Sequence, residues 1–162
     1  MMNPEKLQYV ITVDVYENAK QLPTEEANLI HEATKALRNA YAPYSKFKVG
    51  AALLLENGKV ITGNNQENAA YPSGMCAERV AIFYAGSQYP GVAVKTIAVI
   101  CDVVADQPLT PCGGCRQAIA EYEQNTGKKI KVIMATTTGK VYAANGIETL
   151  LPFMFSGKYI KK

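Results

Sequence analysis

Thr96–Val104 (TIAVICDVV), then Pro111-Cys112-Gly113-Gly114-Cys115-Arg116, then Ile130–Ala135 (IKVIMA) are the stretches whose reading decides the fold. The first is an apolar run of strand length, rich in β-branched residues, and reads as a buried strand. Pro111 opens a helix from Cys112 to about Asn125, and Gly127 ends it. Ile130–Ala135 is a strand again. Strands separated by a helix are expected to be parallel neighbours in one sheet.

The pattern continues outward. Cys76–Ser87 has the period of a buried helix, with Ala77, Val80, Ala81, Phe83 and Tyr84 on the apolar side. Ahead of it, Lys48–Glu56 and Lys59–Gly63 flank Asn57-Gly58, a strong signal for a two-residue hairpin turn. Asn64–Gly74 is polar and loop-like. Thr24 is a candidate N-cap, Glu25 and Glu26 fill the first turn, and Ala27, Ile30, Ala33, Ala36, Leu37 and Ala40 carry a helix to Ala40. Pro43, in the turn Tyr41–Ser45, stops it. Leu7–Tyr16 alternates at Leu7, Tyr9, Ile11, Val13 and Val15 and is read as a strand. Lys140–Ala143 is a short strand, Ile147–Leu151 a helical turn, and Lys158–Lys162 a basic end. The expected fold is α/β: a three-layer α/β/α sandwich on a five-stranded mixed sheet, plus an extra N-terminal strand. The expected organisation is an extension over residues 1–23, a catalytic domain over 24–155 and a basic tail over 156–162.

The bulk numbers exclude several classes. A chain of 162 residues suits one domain with a sizeable core, and 48% hydrophobic with 19% charged is ordinary for a globular protein. A net charge of +3 does not by itself call for a polyanionic partner. No apolar run approaches the ~18 residues of a membrane span. The first sixteen residues lack the uninterrupted apolar core of a secretory signal, so a reducing cytoplasm is expected.

In such a compartment Cys112-x-x-Cys115 reads as metal or redox chemistry rather than a disulfide. Cys76-Ala77-Glu78-Arg79 supplies a third thiol, also at a predicted helix N-terminus, where free N–H groups and the helix dipole favour thiolate. Cys76, Cys112 and Cys115 can therefore ligate one zinc ion and leave a fourth position for water, whose pKa the metal lowers toward neutrality. Glu78, two residues after the first ligand, is placed to move protons rather than to ligate. Three thiolates on Zn²⁺ sum to −1, so Arg79 and Arg116 are expected to donate to sulfur and draw off charge. Cys101, in an apolar run, reads as core, and His31, on a charged helix face, as having no catalytic role.

With those segments the chain resembles the cytidine deaminase family, in its small homotetrameric, three-cysteine branch. The resemblance covers Leu29 to Phe155 and includes Tyr44–Ala52 (YSKFKVGAA), Gly63–Pro72 (GNNQENAAYP), both cysteine segments and Leu150–Phe155 (LPFMF with its leading Leu). It implies hydrolytic deamination of cytidine and 2′-deoxycytidine with one Zn²⁺ per subunit. It implies further that Phe47 packs on the pyrimidine, that Asn65 and Glu67 hold the ribose 3′-hydroxyl, and that the Ala77 carbonyl and Glu78 read the base edge. Tyr71 and Phe155 are then expected to complete a neighbouring subunit's pocket, although ordinary core packing stays open for Phe47, Tyr71 and Phe155. The implied partners are a nucleoside and three further copies of the chain, with neither nucleic acid nor membrane. Gln66 and Gly113-Gly114 depart from the usual pattern, and the glycine pair suggests room for N4-substituted cytosine nucleosides. Three rivals stand beside this reading: a blasticidin S-like deaminase of a bulky nucleoside, a nucleic-acid editing deaminase, and a non-catalytic zinc module.

Overall fold

The computed structural model describes residues 4–103, 105 and 107–160. Val104, the first three residues of the extension and Lys161-Lys162 of the tail lie outside the described residues. The elements are β1 (Asp14–Tyr16), α1 (Thr24–Leu37), β2 (Val49–Leu55), β3 (Val60–Asn64), α2 (Ala77–Gln88), β4 (Val94–Cys101), α3 (Gly113–Thr126), β5 (Lys131–Thr136) and β6 (Val141–Asn145). Short 3₁₀ turns add Ala19–Gln21, Tyr71–Ser73, Ile147–Thr149 and Gly157–Tyr159.

A single mixed sheet runs in the order β1-β6-β5-β4-β2-β3. It consists of the expected five strands and one extra at the N-terminal edge. β4 and β5 pair in parallel from Thr96↔Lys131 to Cys101↔Thr136, across the α3 connection. α2 carries the chain past β2, so β4 pairs antiparallel with β2 instead of lying beside β3. β2 and β3 form an antiparallel hairpin, as do β5 and β6.

Every residue of β2 is buried, which is why it reads as a continuous apolar run rather than an alternating one. Alternate side chains serve the two faces. Ala52 and Leu54 join Leu29, Ile30, Ala33 and Leu37 of α1. Ala51, Leu53 and Leu55 join Ala77, Ala81 and Ile82 of α2 and Ile119 of α3. The result is three layers, with α1 on one face and α2 and α3 on the other.

Four local readings are revised. Only Asp14–Tyr16 of the predicted Leu7–Tyr16 strand pairs, against Ala143 to Val141 of β6. Residues 7–13 pair with no strand, although Val13 packs on the core, and Leu7, Tyr9, Val10 and Ile11 are exposed, because alternation alone supplies no partner. Thr24 is the first helical residue; the cap is Pro23, whose carbonyl accepts from Ala27 N at 3.0 Å. α1 ends at Leu37, and Arg38 to Ala40 close it with tighter three-residue bonds. The β2–β3 connection is a three-residue loop: Gly58 N donates to Leu55 O and Leu55 N to Lys59 O, with Gly58 left-handed at φ 79°.

Two glycines set how close the helices lie. A Cβ on Gly50 would sit 2.1 Å from Ala33 O of α1, and one on Gly63 2.6 Å from Ala77 O and 2.7 Å from Ala81 N of α2. Those obstacles are backbone and cannot rotate away. Gly63→Ala is expected to cost about 1–3 kcal/mol of stability, read as a lower urea midpoint at unchanged slope. A midpoint equal to wild type would show that α2 does not rest on Gly63.

Candidate metal centre and active site

β3 and β4 run in the same direction, since both are antiparallel to β2. The helices that follow them, α2 and α3, therefore both begin beyond the same end of the sheet. Cys76 is the N-cap of α2 and Cys112 the N-cap of α3, both in extended backbone conformation. Cys115 lies one turn into α3 and is buried. The fold thus converges three thiols that are distant in sequence.

Cys76 Sγ lies 3.8 Å from Cys112 Sγ, Cys112 Sγ 3.5 Å from Cys115 Sγ, and all three fall within 4.8 Å of one another. These separations are far longer than the ~2.05 Å of a disulfide. They suit sulfurs around one ion at Zn–S distances of about 2.3 Å. No fourth Cys, His, Asp or Glu joins the cluster among the described residues. A closed structural zinc site needs four ligands, so this donor set is that of an open one.

Electrostatics allows all three sulfurs to be thiolates only with a cation among them. Two thiolates ~4 Å apart repel by about 4 kcal/mol at an effective dielectric of ~20. Without metal, Cys76 ionises at the expense of Cys115. Cys76 is drawn down to about 5 by the Cys115 thiol donating to it and by the Arg79 guanidinium. Cys115 is pushed up by that same partner and by burial. Zinc, worth roughly 10–16 kcal/mol in zinc-finger peptides, would outweigh that repulsion and hold all three as thiolates.

Arg79 Nη2 donates to Cys76 Sγ at 3.8 Å, and Arg79 Nε is buried with no partner among the described residues. Arg116 departs from its expectation. Its Nε donates to Pro111 O at 2.7 Å, its Nη1 to Leu150 O at 2.6 Å and its Nη2 to Thr110 Oγ1 at 3.2 Å. Side-chain reach explains this: Arg116 leaves α3 on the side of the preceding loop and the C-terminal segment, where carbonyl oxygens compete better than sulfur for its planar fork.

Beside the cysteines lies a slot of about 180 Å³ lined by Phe47, Val49, Asn65, Cys76, Ala77, Glu78, Leu109, Thr110 and Cys112. It adjoins a wider mouth of about 470 Å³ that shares Asn65 and Cys76 and adds Glu67, Tyr71 and Arg79 among others. Glu78 is 4% exposed. Burial pushes its carboxyl up, and charge on Cys76 adds to the effect.

Asn65 and Glu67 are both engaged with the segment that presents Phe47. Asn65 Nδ2 donates to Phe47 O at 2.9 Å and Oδ1 accepts from Val49 N at 2.8 Å. Glu67 Oε2 accepts from Tyr44 N at 2.9 Å and Ser45 N at 3.2 Å, and Oε1 accepts from the Ser45 hydroxyl. The Ser45 contact, with the two N–H groups, holds the Glu67 carboxyl below the ordinary range. One acceptor position on Oε1 and one donor on Nδ2 remain free for a ligand.

Other expected site residues are placed as follows. Phe47, at 36% exposure, presents a face to the slot. Tyr71 is 75% exposed at the mouth, edge-on to Tyr44 with centroids 6.2 Å apart. Phe155 is 59% exposed and lines neither cavity; its carbonyl accepts from Gln117 Nε2 at 3.0 Å. Core packing therefore accounts for neither Tyr71 nor Phe155. Ala77 lines the slot, but its carbonyl is turned along α2 toward Gly63 of β3, so it faces away. What the first turn of α2 offers the slot is its free N–H groups. Gly113 and Gly114 are not among the slot's lining residues, and a Cβ on either would meet nothing within 4 Å. Cys101 is buried core.

Sequence reasoning missed Leu109 and Thr110 as slot walls. The available signal was their position directly before the metal-binding Pro111-Cys112.

The model of the cytidine and deoxycytidylate deaminase zinc-binding region matches residues 23–134. The chain belongs to this family. Cytidine deaminase of Sporosarcina psychrophila is 44% identical over 79% of this chain and 89% of its own length. That of Halalkalibacterium halodurans is 42% identical over 80% and 93%. Among solved structures, cytidine deaminase from Burkholderia pseudomallei superposes with a TM-score of 0.71 at 41% identity, covering 79% of this chain and 97% of that one. The family's zinc-binding region includes Cys76 and Cys112 and Cys115, so the cofactor is zinc, one ion on these three sulfurs.

Cys112→Ala and Cys115→Ala are expected to lose zinc on gel filtration with chelator, whereas Cys101→Ala keeps it. Metal analysis of the purified variants checks this. Zinc retained by Cys112→Ala would contradict the ligand set.

Proposed function

We propose that the protein hydrolyses cytidine and 2′-deoxycytidine to uridine and 2′-deoxyuridine with release of ammonia. The observation that carries this is a three-sulfur open metal site with a buried carboxylate beside it, in a slot of base dimensions. Zinc on Cys76, Cys112 and Cys115 supplies a Lewis acid that lowers the pKa of water and stabilises charge developing on oxygen. Arg79 offsets the excess negative charge of the three thiolates.

Phe47 stacks on the pyrimidine, and the N–H of Ala77 at the start of α2 hydrogen-bonds its carbonyl oxygen. Asn65 Nδ2 and Glu67 Oε1 hold the ribose 3′-hydroxyl, one donating and one accepting. Glu78 takes a proton from water and delivers it to N3, raising the electrophilicity of C4. It then takes the second proton and gives it to the exocyclic nitrogen. A C4–O bond forms, the C4–N bond breaks, and ammonia leaves. A carboxyl whose pKa burial has raised suits a group that must both take and give protons near neutrality.

Exposed Tyr71 and Phe155 support a homotetramer in which subunits complete one another's sites. The catalytic unit is residues 24–155, with 1–23 as an extension and 156–162 as a tail. Four cysteines with no disulfide among them favour a reducing cytoplasm. Among the described residues no helix is long and apolar enough to cross a membrane.

Glu78→Gln keeps the shape and the zinc but not the exchangeable proton. It is expected to bind one zinc and to lose turnover by about 10²–10⁴-fold or more. Uridine formation near the wild-type rate by the zinc-loaded variant would overturn the assignment.

A further inference from the structure

Arg116 donates to no sulfur among the described residues, yet it makes three directed hydrogen bonds. Its acceptors are Pro111 O, Thr110 Oγ1 and Leu150 O. Two of them belong to the loop whose Leu109, Thr110 and Cys112 wall the slot. The third ends the 3₁₀ turn Ile147–Thr149, where Leu150 is the C-cap. Seven residues along α3, Glu123 Oε2 accepts from Ile147 N at 3.0 Å, at the other end of that turn, and from Ile130 N at 3.0 Å. Residues seven apart share one helix face. α3 therefore grips this turn at both ends, a carboxylate at its N–H end and a guanidinium at its carbonyl end.

The segment after the turn is strapped to the same helix. Gln117 Nε2 donates to Phe155 O, Gln124 Nε2 to Met154 Sδ at 3.3 Å, and Ser156 Oγ to Gln124 Oε1 at 2.9 Å. Arg116 is the one side chain among these that reaches both this C-terminal segment and the slot wall. Leu109 packs on the core and Pro111 is buried, but among the described residues no other hydrogen bond ties Thr110 or Pro111 to the body of the protein.

We propose that Arg116 is a positioning residue that sets the Leu109–Cys112 wall of the slot against the C-terminal segment, and so governs how tightly the base is held. This rests on the deaminase reading above. It acts through geometry, three donors in a fixed plane, rather than through charge on the metal. A lysine offers a point charge on a flexible stem and cannot satisfy three acceptors spread around a planar fork.

The test compares wild type, Arg116→Lys and Arg116→Gln for kcat and KM with cytidine, zinc content, and the thiolate-to-cobalt absorption band after Co²⁺ substitution. The expected result is a rise in KM of about tenfold in both variants, the worth of one or two lost hydrogen bonds. Zinc stays at one per chain, the cobalt band is unmoved, and kcat changes by less than the KM does. Should the glutamine variant not fold, the lysine variant carries the same comparison. Wild-type KM in Arg116→Lys, or a shifted cobalt band, would overturn the proposal in favour of a charge effect at sulfur. A lowered melting temperature with unaltered kinetic constants would overturn it in favour of a purely structural role. An inactive zinc-loaded wild type would instead refute the deaminase reading, and the two failures are thereby distinct.

Discussion

Three sulfurs held within 4.8 Å of one another at the starts of two helices are the constraint on which the rest of the structure depends. Such a cluster is unfavourable unless a cation sits among the thiolates, and it forms only if two helix N-termini are brought together. The sheet does this by running β3 and β4 in the same direction and placing β2 between them. Gly63 lets α2 descend onto β3 until backbone meets backbone. The chain leaving β4 then delivers Cys112 and Cys115 at the start of α3, on the same face of the sheet as α2. The first turns of both helices also bring their N–H ends to the site, where the helix dipole favours thiolate.

The substrate side is organised by polar side chains that hold the backbone. Asn65 ties Phe47 and Val49, and Glu67 gathers Tyr44 and Ser45, so the loop carrying the aromatic face is fixed from the residues that would touch the ribose. Among the described residues each keeps hydrogen-bonding capacity beyond these contacts. Preorganisation of this kind lowers the ordering cost of binding a ligand in the slot.

Much of this was legible in the sequence. The strand–helix–strand unit around Pro111-Cys112-Gly113-Gly114-Cys115-Arg116 fixed the parallel pair, and the cysteine spacing with Glu78 gave the centre. The order of the strands was not, because nothing local says that α2 carries the chain past β2. Leu7–Ile11 has strand periodicity, but β6 is too short to pair with it, and pairing is a property of two segments. The direction of the Ala77 carbonyl follows from helix geometry rather than from residue type. Arg116 follows a ligand cysteine in sequence as Arg79 follows Glu78, yet its fork meets oxygens of Thr110, Pro111 and Leu150; that choice depends on the C-terminal segment folding back over α3, a contact across more than thirty residues.

The most direct test of the account is the fate of cytidine with the purified protein, followed by loss of cytidine absorbance with uridine and ammonia quantified separately. The account predicts one uridine and one ammonia per cytidine consumed, abolished by a chelator and restored by zinc. A folded protein carrying one zinc that leaves cytidine unchanged would contradict it.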